Sequence, residues 1–297
     1  MRNRAQIVLT PDGRRLHLHD GPIDLIIEAF GRVPEIQAAY RAATQRFVTV
    51  LDELCSELAI LRQPFREDGP QPTGAVAKRM ASAVAPYAPQ TFLTPMAAVA
   101  GAVAEEILEV MTSTADLDRA YVNDGGDIAI HLGPGHHFIV GMVERPDRPS
   151  LFGSAILNAD QPVRGIATSG WRGRSFSLGI ADAVTVLADQ AAMADAAATI
   201  IANAVDLPGH PGITRMRACD LSPDSDLGDR LVTQDVGNLA ISEIGAALDA
   251  GKAIAQSLLS AGLIRAAALY LRAEARLVGE PRKMLKITTG HGSLVNA

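Results

Sequence analysis

Between Arg119 and Asn158 the chain carries four short apolar runs in quick succession: RAYVN (119–123), DIAIHL (127–132), HHFIVGMV (136–143) and SLFGSAILN (150–158). Clusters of Gly, Pro, Asp and Asn separate them, and these are the residues that turn a chain. Turns this short can join antiparallel neighbours, whereas parallel strands need a crossover of roughly a dozen residues or more. The spacing therefore predicts an antiparallel meander. A sheet of this kind must bury at least one face, and the rest of the chain has to supply the cover.

That cover reads as helical. From Ile23 to about Leu61 the apolar spacing has a helical period: Leu25, Ile26, Ala29 and Phe30 share one face, and Pro34 interrupts. Phe47, Leu51, Leu54, Leu58 and Leu61 then recur at three- and four-residue steps. A short helix is expected over 75–85, followed by an extended segment, APYAPQTFLTP. Thr94 and Pro95 suit the N-cap and first position of a further helix, running from near Met96 to about Met111. ADAVTVLA (181–188) reads as a buried strand, and DQAAMADAAATIIANAV (189–205) as an Ala-rich helix.

Nearer the N-terminus, residues 5–19 alternate around Pro11-Asp12-Gly13 and predict a hairpin. The stretch 62–74, with three prolines and two glycines, is a loop and the best candidate for internal mobility. Residues 206–232 look loop-like with short elements. NLAISEIGAALDAGKAIAQSLLSAGL is one helix, or two parted near Gly251, and IRAAALYLRAEARLVG fits strand or helix.

Composition supports a folded core. Apolar residues make up 48% and charged residues 20%, while aromatics are only 4%, so the core is aliphatic with closely packed Ala-rich helices. A net charge of −6 gives no basic footprint for nucleic acid. Pro95 and acidic residues break the longest apolar stretch before membrane length, and the N-terminus lacks the apolar core of a secretory signal. Cys55 and Cys219 form no zinc pattern; Cys55 falls on an apolar helical face and is expected to be buried, in keeping with a reducing compartment. The expectation is a soluble cytoplasmic protein, one α+β domain over residues 1–297, without nucleic-acid or membrane partners. On base rates its commonest assembly is a homodimer.

Three constellations could carry chemistry. In VNDGGDIAIHL (122–132), Gly125 and Gly126 either close a hairpin or present backbone to a ligand, with Asp127 beside them. In IATSGWRGRS (166–175), Thr168, Ser169 and Ser175 supply hydroxyls, Gly170 and Gly173 free the backbone, and Arg172 and Arg174 supply forked donors. That mixture suits a phosphate or pyrophosphate, or it is an exposed basic loop. In MADAAATI (193–200), Asp195 and Thr199 are four apart on a helix and face one way. They can contribute to a hard-cation oxygen site, or they serve helix packing with a solvated carboxylate. His136-His137 follow a turn and point opposite ways on a strand. His17 and His19 share a strand face, with no third His or Cys nearby.

The order of these motifs is informative. GGDI, then ATSG, then ADAAAT resembles the ApbE superfamily of flavin transferases. TFLTPMAAVAGAVAEEI, NDGGDIAIHL, GIATSGWRGRSFSLGIADAVTVLA and ADAAAT together resemble its UPF0280 branch, best over residues 90–205. The resemblance implies a single α+β domain of ApbE type, with antiparallel sheet and packed Ala-rich helices. It implies a cleft for FAD or FMN or another phosphate-bearing small molecule, and Mg²⁺ held partly by Asp195 and Thr199. A backbone carbonyl near Ala97–Gly101 would contribute. Gly125, Gly126 and Asp127, with Thr168, Ser169, Gly170, Arg172 and Arg174, would line the ligand.

The implied reaction is Mg²⁺-dependent transfer of FMN to a protein hydroxyl. Departures accompany the match. No Met-Gly-Thr segment is present, Ala100-Gly101 stands where the transferases have Lys-Gly, and Phe176 stands where a histidine is expected. Phe cannot donate, accept or titrate, which leaves Asp182 as the candidate catalytic polar group. These departures keep open a non-catalytic binding or assembly role that retains the fold without the transferase chemistry.

Overall fold

The computed structural model describes residues 4–89, 91–143, 151–279 and 285–287. In chain order its elements begin with strands β1 (Gln6–Leu9), β2 (Arg15–Asp20) and β3 (Ile23–Phe30), then helices α1 (Val33–Ser56), α2 (Leu58–Leu61) and α3 (Ala75–Val84). A 3-10 turn over Pro95–Ala98 leads into α4 (Val99–Thr114). Strands β4 (Arg119–Asp124), β5 (Asp127–Leu132), β6 (His137–Val143), β7 (Leu151–Asn158), β8 (Gly165–Ser169) and β9 (Ala183–Ala188) precede helix α5 (Ala191–Ala204). The remainder is β10 (Ile213–Arg217), α6 (Ala218–Leu221), β11 (Leu231–Val236), α7 (Ile241–Ser260), β12 (Ala266–Leu271), β13 (Glu274–Gly279) and β14 (Leu285–Ile287). The fold class is α+β with antiparallel sheets. Among the described residues no helix is long and apolar enough to cross a membrane.

The chain clusters into two compact units. The first comprises Met1–His137, Asn158–Ala167 and Ala188–Ala196. Here β1 to β5 pair in sequence order, each antiparallel to the next, and β5 pairs with the start of β8 through Ile128↔Ile166 and Ala129↔Gly165. Leu18, Leu25, Ile27, Val122 and Ala129 are buried on one face of this ladder. Helices α1 and α4 pack on it and on each other. The expected hairpin around Pro11-Asp12-Gly13 is present, with Gly13 at φ +70°. The expected helices over 75–85 and from Pro95 onward are also present.

Four expectations for this unit are corrected. Residues 23–30 form a strand, not the start of a helix. Ile23, Leu25, Ile27 and Ala29 are buried at period two, and Gly21 (φ +58°) with Pro22 closes a two-residue turn that pairs Asp20 with Ile23. A window rich in Ile satisfies both periods, and the turn decides. Pro34 opens α1 instead of interrupting a longer helix. Cys55 is exposed: the buried stripe of α1 ends on Leu54, and the next residue is rotated by about 100° away from it. The segment expected to be extended after α3 continues first as turns, with Tyr87 N–H on the Val84 carbonyl.

The second unit comprises Phe138–Leu157, Thr168–Leu187 and Ala197–Ala297. Strand β12 pairs antiparallel with β9 (Leu269↔Val184) and with β13 (Leu269↔Arg276). Every residue of β9 and β12 is buried, so both their faces are covered. The segment left open between strand and helix is this β12–β13 hairpin, whose loop residues Arg272 and Ala273 adopt φ +50° and +69°. Helix α7 is continuous through Gly251, where a Cβ would meet Val205 Cγ2 at 2.3 Å and Leu269 Cδ2 at 2.9 Å. Strands β6 and β7 pair in a three-stranded sheet with β14, so the expected four-strand meander divides after β5. Strands β10 and β11 form a separate ladder inside the region expected to be loop-like.

Candidate functional site

Each unit holds a part of what the motifs single out. In the first, the NDGGD stretch is a hairpin turn. Gly125 and Gly126 stand at φ +64° and +115°, and the Asn123 side-chain oxygen accepts the Gly126 N–H at 2.8 Å. A Cβ on Gly126 would meet nothing within 4 Å, so conformation and not crowding requires glycine there. The ladder ends on the pair Asp124↔Asp127, with Asp124 buried.

Asp195 lies one turn into α5. Its Oδ2 accepts the N–H of Gly101 at 3.1 Å, and the Ala100 N–H also bonds to it, at the start of α4. In return Glu105, on the second turn of α4, accepts the Ala192 N–H at 3.0 Å and that of Ala191, at the start of α5. Each helix thus caps the other's N-terminus with a carboxylate, satisfying orphan donors and meeting the positive end of the dipole. Gly101 allows the approach, since a Cβ there would lie 2.4 Å from the Ala191 carbonyl oxygen. Gly165 faces the same bend, with Gln190 backbone 2.1 Å from a would-be Cβ.

The electrostatics at Asp195 are unusual. Asp195 retains some surface, yet its carboxylate is packed round by protein, and desolvation drives its pKa well above the ordinary range. The Gly101 and Ala100 N–H groups oppose that rise, while the charge of Asp124 adds to it. Glu105 is likewise pushed up by burial, against the backbone donors of α5 and nearby Arg79.

In the second unit the organising group is Asp182, 4% exposed. Its Oδ1 accepts from Trp171 Nε1 and Arg172 Nε, each at 3.2 Å, and its Oδ2 accepts the Arg272 backbone N–H at 2.8 Å. The Arg172 guanidinium stacks 4.0 Å over the Trp171 ring. Gly170 lies against Asp182 backbone, with 2.5 Å from its would-be Cβ to the carbonyl oxygen. Asp182 therefore fixes the GWR turn. Thr168 Oγ1 lies 3.0 Å from Thr185 Oγ1. Ser169 and Thr199 are half-buried, and Arg174, Ser175 and Phe176 are exposed.

The structure thus bonds Asp195 to Gly101 and sets it within the electrostatic reach of Asp124 in one unit. In the other it brings Gly170 and Arg172 to Asp182. Three participants are not singled out in the sequence. Asp124 reads as an ordinary turn former, Glu105 as one acid among several on α4, and Trp171 as an aromatic inside a basic loop. Among the described residues no three His, Cys, Asp or Glu side chains converge as a cation site. His17 bonds to Asp24 across the strand, with His19 Nδ1 3.8 Å from the same carboxylate oxygen.

A family model described as AbpE bacteria matches residues 7–278. A UPF0280 protein of Methanopyrus kandleri is 39% identical over 128 residues, covering 43% of this chain and 48% of that protein. Another, of Methanosphaerula palustris, is 31% identical over 195 residues, covering 61% of this chain and 73% of the relative. For the first relatives the match spans about half of their length, 48% and 46%. The solved flavin transferase ApbE of Vibrio cholerae aligns over 94% of this chain and 98% of its own at 11% identity, with a TM-score of 0.40, too low to fix the fold by itself.

Proposed function

The chain belongs to the family described as AbpE bacteria, with UPF0280 proteins among its relatives, and from that premise we propose that it binds a phosphate-bearing small molecule of the flavin-nucleotide class together with Mg²⁺. The observation that carries this reading is the Asp195 carboxylate, desolvated and set beside the charge of Asp124. A desolvated carboxylate facing a second negative charge is relieved by a divalent cation. Mg²⁺ is characteristically held by one or two carboxylates with water and ligand phosphate completing its shell. The candidate donors in this reading are Asp195 and Thr199, one helical turn apart on α5. When bound, Mg²⁺ neutralises pyrophosphate charge and lowers the barrier to P–O cleavage.

The chain's own residues supply the rest. The N–H groups at the start of α4 hold the Asp195 carboxylate in place. Each unit offers its own candidate ligand-lining residues: Gly125, Gly126 and Asp127 in the first, and Thr168, Ser169, Gly170, Arg172 and Arg174 in the second. Arg172 is pre-oriented by Asp182 and Trp171. Asp182 has three N–H donors on its two oxygens, so it acts here as the group that positions Arg172. Transfer of FMN is the activity implied by the motifs. Phe176 offers no proton-transfer group at the expected histidine, so binding is the primary reading. The setting proposed is cytoplasmic, supported by two free cysteines.

Thermal-shift titration with FAD, with and without Mg²⁺, tests binding, and chromatography for AMP tests chemistry. The expected result is a Mg²⁺-dependent shift that Asp195→Asn abolishes. A second reading, in which Asp195 only caps α4, is favoured by the mutual capping. It predicts that Asp195→Asn lowers stability in metal-free buffer and leaves any FAD shift intact. Absence of a Mg²⁺-dependent shift in the unmodified protein would sink the primary reading.

A further inference from the structure

The first unit ends on an open sheet edge. Strand β1 pairs with β2 on one side, and among the described residues no strand pairs with its other side. The Thr10 N–H donates to the Arg15 carbonyl, and the register runs on from there through Val8↔His17 and Gln6↔His19. In an antiparallel ladder alternate residues exchange both hydrogen bonds. Thr10, Val8 and Gln6 therefore direct their backbone groups at β2, while Ile7 and Leu9 direct theirs outward.

An outer strand is commonly guarded by a charge, a proline or a bulge. β1 is short, at four residues, but QIVL holds no charge and no proline, and its register with β2 is regular. Ile7, Val8 and Leu9 are 39%, 52% and 52% exposed. By contrast β13, the last strand of the second unit's ladder, carries Glu274 and Arg276, with Arg276 Nε 2.8 Å from Asp249 Oδ1.

The bare surface on β1 continues the core. Ile7 lies opposite Leu18 and Leu9 opposite Leu16, and both leucines are buried on the face that α1 covers. The apolar face thus runs past β2 onto β1, where its cover stops. Val8 is bare on the opposite face.

We propose that β1 pairs antiparallel with β1 of a second copy of this chain, with Val8 facing Val8 of that copy across a two-fold axis. The hydrogen bonding is self-complementary. Ile7 and Leu9 are two apart, so in this register Ile7 faces Leu9 of the second copy, Leu9 faces its Ile7, and the outward groups of each meet the other's. The charges agree with the same register. Arg4 precedes the strand and Asp12 follows it, both exposed, and Arg4 is held in place by Asp20 and Asp52. The antiparallel arrangement brings Arg4 of each copy towards Asp12 of the other, whereas a parallel one would set like charges together. An unrelated strand would satisfy the backbone but has no reason to match this charge order or the apolar triplet. The proposal does not depend on the reading of Asp195.

Sedimentation velocity of the purified full chain, over about 1–100 µM, tests the interface. The unmodified chain should sediment with twice the mass of one chain at the upper end. Val8→Lys changes an exposed side chain and should leave the circular dichroism spectrum unaltered. It sets two like charges against each other at the axis and should weaken the dimer by about tenfold or more. Asp12→Asn keeps a turn-forming side chain and should weaken it by about twofold to tenfold, with a flatter salt dependence. Register has its own readout. Facing residues that share no hydrogen bonds have Cα atoms about 4.5 Å apart, within reach of a disulfide. Val8→Cys should therefore give, on air oxidation, a reducible covalent dimer well above any formed by the unmodified chain through its exposed Cys55. If Val8→Lys does not fold, Val8→Cys decides. A monomer across the whole concentration range, a dimer that folded Val8→Lys leaves intact, or Val8→Cys that links no better than the unmodified chain would overturn the proposal.

Discussion

Gly101 has no room for a methyl group. A Cβ there would lie 2.4 Å from the Ala191 carbonyl oxygen and 2.7 Å from the Ala192 nitrogen, and backbone cannot swing aside. Gly101→Ala is expected to cost about 1–3 kcal/mol, read by urea denaturation. Gly126 is the contrasting case: its space is open, but φ +115° excludes a side chain. Gly126→Ala should cost a similar ~1–3 kcal/mol through backbone strain alone. Asp182 offers a third test, because Trp171 is the chain's single tryptophan. Asp182→Asn removes the charge that Trp171 and Arg172 share. The expected result is a loss of about 3–5 kcal/mol, as for a broken buried ion pair, and a changed Trp emission in the folded variant. An unaltered spectrum and stability would show that the GWR turn does not depend on Asp182. At this scale the sequence announced Asp195 and Gly125-Gly126 through their motifs. It could not announce Glu105, whose role depends on the start of a helix eighty-seven positions away.

Among the elements, α4 and α5 are joined by reciprocal carboxylate caps. Each carboxylate cap is worth about 0.5–2 kcal/mol on its own, by analogy with side-chain caps elsewhere. Because both sit on one packed crossing, Glu105→Ala and Asp195→Ala should not add. A double-mutant cycle by chemical denaturation should show an interaction energy of at least ~0.5 kcal/mol, and strict additivity would mean the caps are independent. Long, regular elements were legible in advance. The stripe through Phe47 and Leu54 marks α1, and the largely apolar run of β9 marks a strand. The misread elements were those whose local pattern fits two periods. IDLIIEAF becomes β3 because Gly21-Pro22 ties it to β2, and AAALYL becomes β12 because it inserts between β9 and β13. The meander divides because pairing partners, not turn lengths, decide which sheet β6 and β7 join.

For the molecule as a whole, Asp195 and Glu105 set a pH dependence with a definite sign. Both fold with pKa values raised above 3.8 and 4.5 respectively. The folded state therefore holds more protons than the unfolded one between those values and the raised ones. Stability from these two groups is greatest at low pH, falls as pH climbs through that window, and then levels. Carboxylates held low, such as Glu53 beside Arg46, act in the opposite sense at lower pH. In metal-free buffer the thermal midpoint of the unmodified protein should drop towards neutral pH more steeply than that of the Asp195→Asn, Glu105→Gln variant. Equal slopes would remove these groups from the account. Fold class was legible at this scale because period and turn chemistry agree across most of the chain. The candidate site was legible only as motifs, since what joins Asp195 to Asp124 and Gly101 is tertiary.

The crossed caps have a consequence for the order in which the protein can be made. The donors of α4 at Ala100 and Gly101 wait for Asp195, ninety-four residues downstream of Gly101. On the ribosome, α4 leaves the exit tunnel with its first turn bare, while β4 to β9 are still being added behind it. Only when α5 arrives do both helices gain their caps, in one event that also closes a long loop of chain. Translation therefore passes through a stage in which everything before α5 is made but unlatched. A chain truncated just before Ala191 should be trapped there.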